Sequence, residues 1–320
     1  MTPDHDILNS VSDAAGLLGR LRDEYDRADT KDDTFLHPLR NGYPYHIWFR
    51  GEPDCAETQL EPAVFRQNDA GQYFHEAAMF EYARGRYPQL NASSPGILPS
   101  LCKMQHYRVP TRLLDWTESL GAALYFAVSA SASGDAWLFC LNARKLNYLT
   151  GMRGEWTNIH NEDDHGALFR GEFVHAVSRQ QWFDRVAAYK EFHWDWEDVR
   201  ERISPANTYH TSGVPTAACD FHATPIALLP RQQEWRALQQ RSVFTLHGGK
   251  KLSGSDLPNP KGLLQLAAAC EPGSTFLRQW KIPSGAKKRI RFDLHALGFH
   301  EAALFPDADA AGRAVKEIFT

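Results

Sequence analysis

The segment from residue 110 to residue 127 reads PTRLLDWTESLGAALYFA. Its first part, Thr111 to Trp116, predicts a short extended segment. Its second part is rich in alanine and aromatic residues and predicts a helix that starts at Glu118, with Thr117 as its N-cap. Free N–H groups at a helix start favour anions, and the loops ahead of helices collect binding residues. The segment therefore predicts both a core element and a polar site.

Polar side chains are dense in and just before this segment. They are Gln105, His106, Tyr107, Arg108, Thr111, Arg112, Asp115 and Thr117. One interpretation is a binding or catalytic cluster. The other is structural: Arg112 pairs with Asp115, Thr117 only caps the helix, and His106 is a satisfied core histidine. The residues alone leave both interpretations open.

A second motif lies upstream, where residues 45–51 read YHIWFRG. The apolar and aromatic residues predict a strand that ends in a glycine turn. Arg50, at the end of this strand, has the guanidinium that binds phosphate or carboxylate in two-point contacts, and Gly51 would let a ligand approach the backbone. The alternative is that Arg50 pairs with Glu52 or Asp54.

The rest of the chain predicts an α+β fold with a mixed or antiparallel sheet core flanked by helices. We expect a helical N-terminal extension over residues 1–40 and one domain over residues 41–320. Ser10 or Ser12 is expected to cap the first helix. The other predicted helices span residues 73–87, 181–192 and 232–240, with a loop at 91–99. The other predicted extended segments span residues 136–141, 225–229, 242–247, 276–282 and 288–292.

Composition narrows the class of protein. A hydrophobic content of 43% and a charged content of 23% are typical of a folded globule. The net charge of −4 gives no overall attraction to nucleic acid or to an anionic membrane. The 5 cysteines are widely spaced, which favours a reducing compartment. No secretory signal is apparent at the N-terminus, and the longest apolar stretch is too short to span a bilayer. We therefore predict a cytoplasmic protein without membrane association.

Several common sites are not indicated. Cys219 with His222, and His160 with His165, lack the second half of a zinc site at the usual spacing, so no metal is predicted. The sequence has no phosphate-binding P-loop, no dinucleotide-binding glycine motif and no hydrolase nucleophile elbow.

The motifs, taken in order, resemble those of the FRG-domain family, which is named for a Phe-Arg-Gly signature. The matching segments run from Trp48 to Gly51, Leu60 to Pro62, Phe65 to Arg66, Gln105 to Tyr107, Pro110 to Thr117, Ala123 to Ala127, Arg236 to Phe244, and Leu304 to Asp307, with Gly298. The similarity spans roughly residues 40 to 318. Arg108 and Ser242 stand where the family usually has glycine.

A weaker resemblance is to NAD-using ADP-ribosyltransferases, which carry an arginine on an early strand and a polar strand that leads into a helix. It implies that NAD is a substrate and that Arg50 holds its pyrophosphate or a ribose. It further implies that Thr117 orders the nicotinamide pocket and that an aromatic such as Tyr125 stacks on the ring. Gly51 and Arg112 complete the expected cofactor-binding set. A protein or nucleic-acid acceptor, and an antitoxin or regulatory partner, would accompany a toxin or defence effector of this type.

The catalytic carboxylate of such an enzyme is not identified by its motif. The chemistry needs an anion to stabilise an oxocarbenium-like transition state. Asp115 and Gln240 are the expected catalytic residues, with His106 as general base; Glu118, Asp307 and the segment Gln232-Gln233-Glu234 are further candidates. The alternative function is a non-catalytic module that binds a nucleotide or a nucleic-acid end through Arg50, Arg112 and aromatic residues.

Overall fold

The computed structural model describes residues 7–27, 47–54, 60–90, 97–129, 134–147, 225–228, 235–248, 262–270, 275–307, 311–313 and 315–316. Its centre is a six-stranded sheet in the order β4-β5-β2-β1-β3-β6. All its strand pairs are antiparallel. The strands are β1 (Ile47–Glu52), β2 (Leu113–Thr117), β3 (Ala136–Asn142), β4 (Ile226–Leu228), β5 (Ser242–Leu246) and β6 (Leu277–Ile282).

Helices flank this sheet, and the predicted α+β class with an antiparallel sheet core is confirmed. They are α1 (Val11–Arg27), α2 (Glu76–Arg86), α3 (Ile97–His106), α4 (Leu120–Ser129), α5 (Ala143–Asn147), α6 (Trp235–Gln239), α7 (Leu263–Ala268), α8 (Ser284–Ala296) and α9 (Glu301–Leu304). No helix in the described part of the chain is long and apolar enough to cross a membrane.

Apolar side chains cover both faces of the sheet. On one face, Phe49 and Leu138 pack with residues of α1, α4 and α8. On the other face, Trp48, Trp116 and Phe139 pack with residues of α5 and α7. The alternation of Trp48 and Phe49 between the two cores is the period of two expected of a strand. The division at residue 40 stays a prediction, because residues 28–46 lie outside the described ranges.

Two of the predicted helix starts are settled by side-chain caps. The hydroxyl of Ser10 accepts a hydrogen bond from the backbone N–H of Asp13 at 3.1 Å, so Ser10 caps α1. The predicted start of α4 at Glu118 is wrong, since the helix begins at Leu120. Ser119 is its cap, because its hydroxyl accepts the backbone N–H of Ala122 at 3.3 Å.

Two further predictions of local structure are corrected. Residues 288–292 are not extended but lie inside α8. Their alternation of basic and apolar residues imitates a strand, whereas the buried positions Ala286, Ile290 and Leu294 follow the four-residue spacing of a helix. The loop predicted for residues 91–99 is wrong at its end, where α3 already includes Pro99. The helix predicted for residues 181–192 lies outside the described residues.

Gly51 has a packing role that its position in β1 makes necessary. A Cβ atom added there would overlap the carbonyl oxygen of Ala123 and would lie 2.5 Å from the backbone nitrogen of Ala127. Helix α4 therefore rests directly on the backbone of β1. On this face of the strand the glycine makes room for a helix, and not for a ligand as the sequence suggested.

We predict that Gly51→Ala lowers the free energy of unfolding by about 3 kcal/mol or more, because backbone atoms cannot move aside as a flexible side chain can. Urea denaturation of the full chain measures this value. Gly19→Ala in α1 is the matched control. Nothing lies within 4 Å of a Cβ at that position, and alanine in a helix stabilises by about 1 kcal/mol relative to glycine. Equal stability of the Gly51→Ala variant and the wild type would contradict the packing role.

Candidate functional site

The two central strands of the sheet separate next to the polar motifs. β1 pairs with β3 over its whole length, from Ile47 to Glu52. With β2, by contrast, it forms the single register pair Phe49↔Thr117. Beyond that pair, Gly51 and Asp115 face each other across the two strands but do not form a register pair. The polar residues of both motifs surround this separation.

Strand alternation distributes these residues over both faces of the sheet. Paired residues share a face, so Thr117 lies on the face of Phe49, and Asp115 lies there as well. Arg50 lies on the opposite face, together with Trp116. The polar residues of the two motifs therefore lie in two groups, one on each side of the sheet.

Arg50 bridges the separation between the strands. Its Nη1 donates to the carbonyl oxygen of Asp115 at 2.6 Å. Its Nε donates to Oε1 of Glu52 at 2.5 Å, and Nη2 lies 2.5 Å from the same oxygen. The ion pair with Glu52 is the structural alternative considered for this arginine. In this arrangement, Arg50 holds protein groups in place of a free anion.

Arg112 is a buried structural residue. Only 2% of it is exposed, and its Nε and Nη2 donate to Oε2 of Glu76 at 2.9 and 2.5 Å. Its Nη1 donates to the carbonyl oxygen of His247 at 3.2 Å. The alternative in which Arg112 pairs with Asp115 is therefore wrong, since its carboxylate partner is Glu76. The burial of Arg112 also corrects the expectation that this guanidinium contacts a nucleotide.

His247 extends this buried polar group and was not foreseen from the sequence. Its Nε2 lies 3.0 Å from the hydroxyl of Thr245, which also accepts a hydrogen bond from the indole N–H of Trp116 at 3.1 Å. Burial lowers the pKa of His247 to about 3, and the positive charges of Arg112 and Arg50 contribute to the shift. The imidazole is therefore neutral at physiological pH.

Asp115 is the exposed carboxylate on the other face. Its Oδ2 accepts a hydrogen bond from the side-chain amide of Gln105 at 2.6 Å. The amide oxygen of Gln105 in turn accepts the hydroxyl of Thr111 at 2.5 Å. Among the described residues, none donates a hydrogen bond to Oδ1. The charge of Asp115 also contributes to the pKa of the Cys102 thiol, which burial raises to about 12.

Two of the predicted site residues anchor the chain beside Asp115. The hydroxyl of Thr117 donates to the carbonyl oxygen of Gln240 at 2.6 Å and accepts the backbone N–H of Ser119 at 2.9 Å. The amide of Gln240 is buried and donates to the carbonyl oxygen of Leu304 at 3.0 Å. These bonds tie β2 to the segments that precede β5 and end α9.

The remaining predicted site residues, His106 and Tyr125, lie at the end of α3 and in α4. His106 ends α3, where its ring meets that of Tyr107 edge-to-face at 5.0 Å. Tyr125 is partly buried and packs against the core that contains α4, and its stacking on a ligand ring stays a prediction. The neighbouring Phe126 instead contacts Phe305, with ring centroids 6.0 Å apart. The segment Gln232-Gln233-Glu234 and the histidine and cysteine pairs considered for metal lie outside the described residues.

Arg236 is the residue of this region whose role the sequence did not indicate. Its guanidinium carbon lies 4.4 Å from the ring centroid of Phe305. Burial lowers its pKa, the charge of Arg108 lowers it further, and Asp115 and Asp307 act in the opposite direction. The only signal in the sequence was the spacing of Arg236 and Gln240 in a family-like motif.

The remaining carboxylate candidates differ in their surroundings. Burial raises the pKa of Glu118, and the charge of Arg241 partly offsets this effect. Its backbone N–H donates to the carbonyl oxygen of Arg241 at 3.2 Å. Asp307 is exposed, and its negative charge raises the pKa of Arg236. Asp115 is exposed, and the side-chain amide of Gln105 orients its carboxylate.

Comparison with known protein families identifies a match to part of the chain. Residues 45–136 match the family model described as the FRG domain. The resemblance to the FRG family is therefore confirmed over this segment, which contains Arg50, Gly51 and the whole stretch from Gln105 to Tyr125. The match ends well before Gln240, so it covers less than the 40–318 range expected from the motifs. Neither the curated proteins nor the solved structures contain a match to the chain.

We predict that Glu76→Gln and Arg112→Met each destabilise the fold by about 3–5 kcal/mol, because each leaves a buried charge unpaired. The double variant Glu76→Leu with Arg112→Met removes both charges and should recover most of that loss. Denaturation midpoints measure all three variants. Arg313→Met is the control, since Arg313 pairs with Glu301 at a largely exposed site. Additive losses in the double variant would contradict the proposed coupling.

The lowered pKa of His247 predicts a specific acid sensitivity. Between about pH 6.5 and pH 3 the unfolded chain binds a proton at His247 that the folded chain does not. Stability therefore falls as the pH drops through this window, by about 1.4 kcal/mol per pH unit from this residue, and is independent of this group above it. Urea denaturation from pH 4 to pH 8 should show a shallower slope in His247→Gln. Identical slopes for the variant and the wild type would refute the assignment.

Proposed function

We propose that this chain, within its FRG-type fold, binds NAD on the Asp115 face of the sheet and cleaves the bond between nicotinamide and ribose. The activity would be that of an NAD glycohydrolase or an ADP-ribosyltransferase. The observation that carries the proposal is the exposed Asp115 carboxylate, which is oriented by the protein but has an oxygen that receives no hydrogen bond from a described residue.

Two side chains, those of Gln105 and Arg50, hold Asp115 in place. The amide of Gln105 fixes one carboxylate oxygen at 2.6 Å. The guanidinium of Arg50 fixes the backbone carbonyl of the same residue at 2.6 Å. A carboxylate held in this way needs no reorganisation when positive charge develops near it, and such preorganised charges contribute strongly to catalysis.

The chemistry follows from the charge of NAD. The bond between C1′ of the ribose and the ring nitrogen breaks, and its electron pair leaves with nicotinamide, which becomes neutral. Positive charge then develops on the ribose, where Asp115 would stabilise it. Water, or a hydroxyl or amine of an acceptor, forms a new bond to C1′ and loses a proton. His106 is our candidate for the base that takes this proton.

Arg50 and Gln240 have positioning roles in this proposal. Arg50 supports Asp115 from the opposite face, and Gln240 is engaged by Thr117 and by the carbonyl oxygen of Leu304. A neutral, buried amide does not supply the anion that the reaction needs. The assignment of the catalytic carboxylate therefore falls to Asp115.

We predict that the purified chain releases nicotinamide from NAD, alone or with a protein, DNA or RNA acceptor, and that Asp115→Asn slows this release by about 100-fold or more. Chromatographic measurement of nicotinamide tests both statements. Asp69→Asn, which changes an exposed aspartate in a turn, should leave the rate unchanged.

The outcome also separates catalysis from binding. If the wild type releases no nicotinamide under any of these conditions, the enzymatic proposal is wrong. Thermal stabilisation by NAD without release, lost in Asp115→Asn, would instead favour the non-catalytic nucleotide-binding module.

A further inference from the structure

Arg236 differs from the other buried or half-buried arginines near the site. Its guanidinium is half-buried on the ring of Phe305, and no described residue forms an ion pair or hydrogen bond with it. Three other arginines of the described part have a carboxylate partner: Arg50, Arg112 and Arg313. Stacking occupies the face of a guanidinium and leaves its N–H edge available to a planar or tetrahedral anion.

The Phe305 ring beneath this guanidinium is held in place by several contacts. Phe305 meets Phe126 of α4 edge-to-face at 6.0 Å. The amide of Gln240, which follows α6, donates to the carbonyl oxygen of Leu304 at 3.0 Å. The ring on which Arg236 stacks is therefore fixed by packed elements. A binding group needs such support if it is to keep its geometry.

A second arginine acts on the same region. The positive charge of Arg108 lowers the pKa of Arg236, so the two like charges lie within electrostatic reach of each other. Arg108 also adopts a φ of 62°, in the left-handed region that favours glycine. A side chain that is kept in a strained backbone position next to a like charge points to a functional constraint.

Carboxylates complete the surroundings of Arg236. The negative charges of Asp115 and Asp307 raise the pKa of Arg236, whereas Arg108 lowers it. A phosphate would remove the repulsion between the two arginines, while carboxylate oxygens accept hydrogen bonds from hydroxyl groups. A ligand that carries both groups on neighbouring atoms matches this combination better than inorganic phosphate does.

We propose that Arg236, stacked on Phe305, and Arg108 bind the phosphate of a ribose phosphate whose hydroxyl groups face Asp115 and Asp307. The inference rests on the proposed function in that NAD contains such groups, and it assigns the diphosphate side of the ligand to these two arginines. Arg50 and Arg112 take no part in it, because both are engaged by protein groups.

Isothermal titration of the full chain with ADP-ribose tests the assignment. Arg236→Gln should weaken binding about tenfold or more, because a charged hydrogen bond to phosphate is lost. Arg236→Lys should also weaken it, since an ammonium neither stacks nor binds in two-point contacts. Arg289→Gln, in the exposed part of α8, is the control and should bind as the wild type does. Unchanged affinity in Arg236→Gln would overturn the proposal.

Arg108→Gly provides a second test that does not depend on damage to the fold. Glycine relieves the left-handed strain, so the melting temperature should rise by a few degrees, roughly what such a backbone effect gives. Affinity for ADP-ribose should nevertheless fall by about threefold or more. A variant that is more stable and binds ADP-ribose as tightly as the wild type would remove Arg108 from the site.

Inorganic pyrophosphate identifies the part of the ligand that is recognised. Pyrophosphate should bind at least about tenfold more weakly than ADP-ribose, because it lacks the ribose hydroxyl groups. Equal affinity for the two would refute the role of the ribose.

The tests of this site and of the proposed function can fail separately. ADP-ribose binding that depends on Arg236, in a protein that releases no nicotinamide, would support the phosphate site and reject catalysis. Nicotinamide release by Arg236→Gln with an unchanged KM for NAD, together with unchanged ADP-ribose affinity, would reject the phosphate site alone.

Discussion

The Arg50 guanidinium joins the two central strands at the point where their backbones cease to pair. Without it, the carbonyl oxygen of Asp115 would lack the partner that a continuous ladder supplies, and an unsatisfied carbonyl at that position would be unfavourable. The ion pair with Glu52 fixes the direction of the guanidinium. The separation of the strands is therefore a stable feature of the sheet, and the position of Asp115 depends on it.

Each residue of the Phe-Arg-Gly signature has its own physical reason. Phe49 contributes to the core beneath α4. Arg50 projects to the opposite face and bridges to β2. Gly51 allows the backbone of α4 to lie directly on the strand. Because α4 follows β2 closely in the chain, its position on β1 also restrains β2. The signature thus sets the geometry of the site without requiring that any of its side chains contact a ligand.

Much of the fold could be predicted from the sequence, but little of the site could. Strand and helix periodicity identified all six described strands, because burial imposes it locally. Residues 288–292 were misassigned because basic residues alternate with apolar ones on a helix that buries Ile290. The partner of Arg112 could not be inferred, since Glu76 lies 36 residues away in α2 and is brought close only by tertiary packing.

Proximity in the sequence also concealed which face each polar residue occupies. Arg112 and Asp115 are three positions apart, so strand alternation directs them to opposite sides of the sheet. One belongs to a buried ion pair, and the other is exposed beside Gln105. Replacing Arg50 would disturb the Asp115 carbonyl from the far face, so a loss of activity in such a variant reports on the support of the carboxylate. Ligand contact must be judged at other groups, such as Arg236, whose guanidinium forms no hydrogen bond or ion pair with a described residue.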